Sequence, residues 1–308
     1  MSTSANAVPN SSVGGGITPA AMSKMQLFYW SVRRELWEYR SIYIAPLAAA
    51  GVFLFGFLFS LIHLPSRVEG ISLHDQQRIV LVGPYDMAAG LIMVTALIVA
   101  VFYCLDALYG ERRDRSILFW KSLPVSDLTT VLAKAFIPIV FLQLLSWAIT
   151  SATQLIMLLL SSAVLAASGQ SVGILWSQVS FFQMSFMLLY HLLTVHALWY
   201  APVYCWLLLV SAWARRAPFL WAILPPLAIG VVEKVAFNTL YFGNFIGYRL
   251  TGGMEVMGSS APNRLPIDPG MEITPGHFLA SPGLWLGLTV AAAFLYAAAR
   301  IRRSRGPM

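Results

Sequence analysis

The chain has 308 residues, of which 58% are hydrophobic and only 11% charged, and its mean hydropathy is +0.71; these values exclude an ordinary soluble domain and point to a polytopic membrane protein. The formal charge of +7 is what cytoplasmic loops facing anionic lipid produce, so it calls for no nucleic-acid partner. Cys104 and Cys205 both fall inside apolar runs, which leaves neither a disulfide framework nor a cysteine-rich metal site.

In chain order, residues 1–23 are rich in Ser, Ala, Gly and Asn and lack the basic-then-apolar order of a secretory signal, so they read as a disordered cytoplasmic tail. Residues 24–41 change character. Ser31, Arg34, Glu35 and Glu38 share one helical face while Phe28, Val32, Leu36 and Tyr39 share another, predicting an amphipathic helix in the inner membrane interface. Its anchors are Trp30 and Trp37, with Arg33 and Arg40 reaching toward headgroups.

Residues 42–300 then contain six apolar stretches able to cross a membrane, at 42–64, 87–108, 135–159, 189–213, 219–241 and 282–299. Pro202 predicts a kink in the fourth. With the N-terminus inside, six crossings place the basic residues at 24–40, 112–134, 215–216 and 300–305 on the cytoplasmic side and leave Arg67, Arg78, Arg249 and Arg264 outside. An odd number of spans would strand either the N-terminal or the C-terminal basic cluster on the wrong side. Both termini, including the basic tail 301–308, are therefore expected to be cytoplasmic.

The charge that this chain does carry is concentrated in an island at 109–134, YGERRDRSILFWKSLPVSDLTTVLAK. The stretch 111–120 offers a short helix mixing charges with Ile117, Leu118 and Phe119, Leu123-Pro124 stops it, and Ser126 with Asp127 starts a second helix that runs into the third span. Apolar groups beside charges on a rigid connector suit protein docking, since the first supply burial and the second supply register. An ordinary juxtamembrane loop with arginines on lipid phosphates reads the same way from the residues alone.

The segment LYGERRDRSILFWKSLPVSD resembles the loop between the second and third spans of ABC type-2 transporter permeases, where an E-R-x-x-x-S-x-x-x-x-x-S-L-P-V-S arrangement recurs. An interfacial elbow helix, six spans and an irregular outer segment before the last one follow the same order. The resemblance implies an all-α permease subunit in a bacterial inner membrane, with the loop acting as a coupling helix. It implies that Glu111, Arg112, Arg113, Arg115, Phe119, Trp120 and Lys121 contact a separate ATP-binding subunit, with Leu123, Pro124 and Ser126 setting the geometry. It further implies two copies of that ATPase and a second permease, identical or not, with ATP and magnesium held by the ATPase and no cofactor in this chain.

None of Lys24, Lys121, Lys134 and Lys234 sits in a G-x-x-x-x-G-K-[ST] string, and neither H-E-x-x-H nor G-x-S-x-G occurs, so no nucleotide-binding or catalytic motif is expected here. His191 and His196 are five apart, poorly spaced for one α-helical face, and count out near the outer boundary. Glu233 and Lys234 lie within the fifth apolar stretch and stand as candidates for an outer gate or for holding the outer region 241–282 together. They also keep an ion-coupled carrier open as an alternative, beside a membrane anchor that recruits a soluble partner through 109–134. Asp106, near the inner end of the second span, reads first as an interface residue, with pairing to Arg112 or Arg113 as the other reading.

Overall fold

The computed structural model describes residues 23–69, 74–122, 125–251 and 275–304, and among these the regular structure is entirely helical. The helices are α1 (Lys24–Glu38), α2 (Ser41–Leu61), α3 (Leu64–Glu69), α4 (His74–Asp106), α5 (Tyr109–Arg113), α6 (Ile117–Ser122) and α7 (Asp127–Phe136), continued by a π-helical segment, Ile137–Phe141, into α8 (Leu142–Ala167). Then come α9 (Val172–Gln178), α10 (Phe181–His191), a second π segment (Leu192–Trp199), α11 (Ala201–Trp213), α12 (Pro218–Phe237), α13 (Tyr241–Thr251), α14 (Pro275–Ala280) and α15 (Pro282–Ser304). Six of the resulting segments are long and apolar enough to cross a membrane. The chain is a multi-pass helical membrane protein.

Local chemistry sets several boundaries. Ser23 caps α1 in a reciprocal capping box with Gln26, which satisfies two amides that would otherwise be orphaned. Ser126 caps α7 by accepting from the Thr129 amide at 3.1 Å, with Asp127 in the first turn. Leu123 and Pro124 lie outside the described residues, as do most of the expected N-terminal tail, the middle of 241–282 and the end of the basic tail.

Two packed zones hold the bundle together. Ile42, Tyr103, Cys104, Ile137, Tyr204 and Leu208 form one; Phe57, Leu61, Tyr85, Met157, Leu158 and Met184 form the other, toward the opposite end. Helix α15 lies along α11 through small side chains, with Ala291 against Ala201 and Cys205, and Ala298 and Ala299 near Ala212. Small residues allow such close approach where lipid offers no hydrophobic driving force between helices. Helix α12 differs, since only 6% of its most apolar window is buried.

Three sequence expectations change in detail. The island holds two short helices, α5 and α6, separated at Asp114–Ser116, where Arg115 takes a left-handed φ of 59°. The polar stripe of α1 turns inward, because it meets buried charges from other helices. The fourth candidate span is Leu175–Trp199 in place of the expected 189–213, so Pro202 lies just beyond it, in the first turn of α11, and the disturbance comes ahead of the proline: the π segment closes with the Tyr200 amide on the Val195 carbonyl at 3.0 Å. Proline lacks an N–H and its ring crowds the carbonyl four residues back, so a wider turn accommodates it. Pro138, by contrast, lies within the first π segment, as its second residue.

Candidate functional site

One end of the bundle gathers α1, the helices α5 and α6, the whole of α7 and the ends of α11 and α15. Between them lies a buried ion network. Lys134 of α7 and Glu35 of α1 are both 0% exposed. The Lys134 ammonium donates to both Glu35 carboxylate oxygens at 2.9 Å and lies 3.1 Å from Glu111 of α5. Glu111 also receives Arg34 Nη2 at 2.9 Å and Arg302 Nη2 at 3.1 Å. Arg34 bridges back to Glu35, Arg302 bonds to Asp127, and the Tyr103 hydroxyl donates to Glu35 at 3.1 Å.

The cations Arg34, Lys134 and Arg302 thus balance the anions Glu35, Glu111 and Asp127. Buried charges persist when they are paired and hydrogen-bonded in this manner, and taking away one partner is costly. Burial works against the charge of Arg34, but Glu35 and Glu111 outweigh it and hold its pKa above the ordinary value. At the turn into α2, Tyr39 donates to Asp106 at 3.1 Å, and burial together with that carboxylate raises its phenol well above the usual range.

Arg112 forms a second fastening. Its Nη2 donates to the carbonyls of Ser211, at 2.9 Å, and Ala214, while Ser211 Oγ accepts from the Leu108 and Tyr109 amides at 3.0 and 2.8 Å. The C-terminal carbonyls of α11 and the N-terminal amides of α5 are therefore satisfied by each other's side chains. Glu111 and Arg112, both expected to contact an ATPase, are instead buried inside this chain. They are fastenings, with no surface to offer.

The remainder of the island faces outward. Leu118 and Phe119 are 59% and 61% exposed, and Arg113, Arg115 and Lys121 lie on the surface around them. Arg113 pairs with Asp114 at 2.9 Å and approaches Asp106 at 3.8 Å. Trp120 is half-buried, edge-on to Phe119, with the Arg34 guanidinium 4.0 Å above its ring. Through that contact the exposed helix α6 rests on the buried network. On α1, the Arg33 guanidinium lies 5.1 Å from Trp30 and 4.7 Å from Trp37, both rings being exposed, and Arg40 is exposed at the turn.

Toward the other end, Glu233 of α12 accepts from the Thr239 hydroxyl at 2.9 Å and the Tyr241 and Phe242 amides at 2.6 and 2.8 Å. It caps α13 after the left-handed turn at Asn238, whereas Lys234 points into the surroundings and takes no part. His191 and His196 are brought together, contrary to the α-helical spacing argument. The π segment between them places five-apart residues on one face, with ring centroids 5.4 Å apart, and both rings are buried.

Sequence reasoning missed the network because its members come from four separate segments. Its one legible signal was Lys134, a lysine eight residues into a capped helix that leads straight into an apolar span. Among the described residues no cluster of three or more His, Cys, Asp or Glu is arranged to hold a metal ion. Comparison with family models, with curated proteins and with solved structures finds no match.

Proposed function

We propose that this chain is the membrane-spanning permease subunit of an ATP-driven exporter of the ABC type-2 kind, with its termini in the cytoplasm of a bacterial cell and ATP hydrolysed by a separate subunit docked on α5 and α6. The observation that carries this reading is the pairing of an exposed Leu118–Phe119 knob, ringed by Arg113, Arg115 and Lys121, with a buried ion network directly behind it. A docking element that transmits force needs a surface that a partner can grip and a rigid connection to the spans. The network ties α5 to α1, α7 and α15, so displacement of the connector would move the starts of two spans and the end of the last as one body. The sparse packing of α12 leaves a face for lipid or for a second permease.

The ion-coupled carrier depended on Glu233 and Lys234. It loses support because the Glu233 oxygens are engaged by the cap of α13.

The test is purification from native membranes in mild detergent, with photolabelling of the eluate by an azido-ATP analogue. A labelled subunit should accompany the wild type and be released by the double charge reversal Arg113→Glu, Arg115→Glu, while the melting temperature of the permease stays unchanged. Homogeneous wild-type protein with no nucleotide-binding companion, carrying out transport driven by an ion gradient, would overturn the proposal.

A further inference from the structure

Arg34, Lys134 and Arg302 each meet a carboxylate. Arg249 of α13 meets none among the described residues and has a terminal guanidinium nitrogen left over. It is 7% exposed, its Nη1 donates to the Gly283 carbonyl at 3.1 Å, and its Cζ lies 4.5 Å from the centre of the Trp199 ring. Its Nη2 is buried without a hydrogen-bond partner, and among the described residues no carboxylate lies within ion-pair distance. Glu233, which anchors the same helix, is already occupied by the Thr239 hydroxyl and two amides.

The surroundings are built to keep this cation in place. The Trp199 indole donates to the Arg249 carbonyl at 2.9 Å and the Tyr200 hydroxyl to the Leu250 carbonyl at 2.7 Å, which fixes α13 against the second π segment. Gly287 of α15 supplies the floor, because a Cβ there would collide with the guanidinium. Tyr248 packs edge-on against Trp199 at 5.4 Å. Trp199 is the last residue of the fourth candidate span, Leu175–Trp199, and the guanidinium lies over its ring at that end. Arg249, expected outside the membrane from the pattern of basic residues, is thus shielded from solvent by the protein itself.

We propose that Arg249 is a binding site for the oxyanion headgroup, phosphate or carboxylate, of an amphiphile that enters from the apolar surroundings. The unmatched N–H at Nη2 completes a charge-assisted hydrogen bond to the anion. Phe245, Leu250, Leu279 and Trp285, all on α13, α14 or α15 and all exposed, supply the apolar surface on which a tail would lie. A small displacement of α13 from Gly287 opens Nη2 to the ligand, so binding and movement of this helix are linked. The site stands independently of any ATPase partner.

The experiment uses the full chain in dodecyl maltoside, titrated with dodecyl phosphate, laurate, inorganic phosphate and acetate, and read by thermal unfolding and by tryptophan emission, which reports on Trp199 beneath the guanidinium. Dodecyl phosphate or laurate should saturate on the wild type, bind at least tenfold more weakly to Arg249→Gln, and retain part of that affinity in Arg249→Lys. Response to the amphiphiles alone assigns the headgroup of a lipid or lipid-like molecule; equal response to inorganic phosphate or acetate assigns a free oxyanion, and either upholds the site. Should Arg249→Gln fail to fold, hydrogen exchange on the wild type decides: saturable change in exchange across 241–251 on adding dodecyl phosphate supports the site. Absence of that change, or binding equal in wild type and Arg249→Gln, overturns it.

Discussion

Lys134→Met tests the buried network most directly. Methionine keeps the length of the side chain and removes the ammonium that lies 2.9 Å from both Glu35 oxygens and 3.1 Å from Glu111. At an effective dielectric of about 20, each of the two carboxylate contacts at this separation is worth roughly 5–6 kcal/mol of Coulomb attraction. Removing the lysine also removes its own desolvation cost, several kcal/mol, so the loss falls to about 3–5 kcal/mol, the range found for breaking a buried pair by truncating one partner. The surviving carboxylates then carry an unmatched negative charge inside the bundle. At roughly 2 °C per kcal/mol for a chain of this size, the melting temperature should fall by about 6–10 °C. Thermal unfolding in a neutral detergent, followed by tryptophan emission, is the assay. The double variant Lys134→Met, Glu35→Gln restores charge balance and should recover a substantial part of the loss, a coupling that a simple packing defect would not show. If the single variant melts within a degree of wild type, or the double melts at the sum of the two single losses, the network contributes no mutual stabilisation and the reasoning fails.

Arg112→Gln should cost about 1.5–3 kcal/mol, the value of hydrogen bonds to a charged donor, and should raise protease sensitivity at the turn 214–217, which begins at its partner Ala214 just past the end of α11. Phe119→Ala, on an exposed ring, should leave stability within about 0.5 kcal/mol of wild type while weakening retention of a docked subunit in a pull-down; a matching loss of stability would place the ring in the fold's interior. Glu233→Gln should speed hydrogen exchange in α13 without changing that of α4 or α8, because the carboxylate holds the first amides of α13 alone. Equal exchange in both forms would show that Asn238 and Thr239 suffice for the turn.

Residues that act locally could be read from the sequence. Ser126 caps the helix that Asp127 begins, and the apolar stretches became helices of spanning length, since both depend on patterns a few residues wide. What the sequence hid is contact between distant segments. Glu111 and Arg112 stand in a charged run that reads as surface, yet their partners, Arg302 and the carbonyls of Ser211 and Ala214, come from the far side of the chain. The amphipathic pattern of α1 showed a polar face without revealing that this face meets protein charges in place of water. For the histidines the error was one of period: 3.6 residues per turn separates His191 from His196, while a π turn aligns them, and nothing local announced that turn except Pro202 a few residues on.

The order in which the ribosome releases the network gives it a further meaning. Glu35 emerges long before Lys134, Glu111 shortly before it, and Arg302, which completes the set, comes only at the end of α15. Until that last helix is inserted, Glu111 and Asp127 lack one of their cations and the early spans remain held by an incomplete set of bonds. Closure of the cluster thus coincides with completion of the bundle, so a nascent chain that stalls before α15 carries a surplus of negative charge at its heart, a feature by which membrane proteases could distinguish unfinished molecules from finished ones.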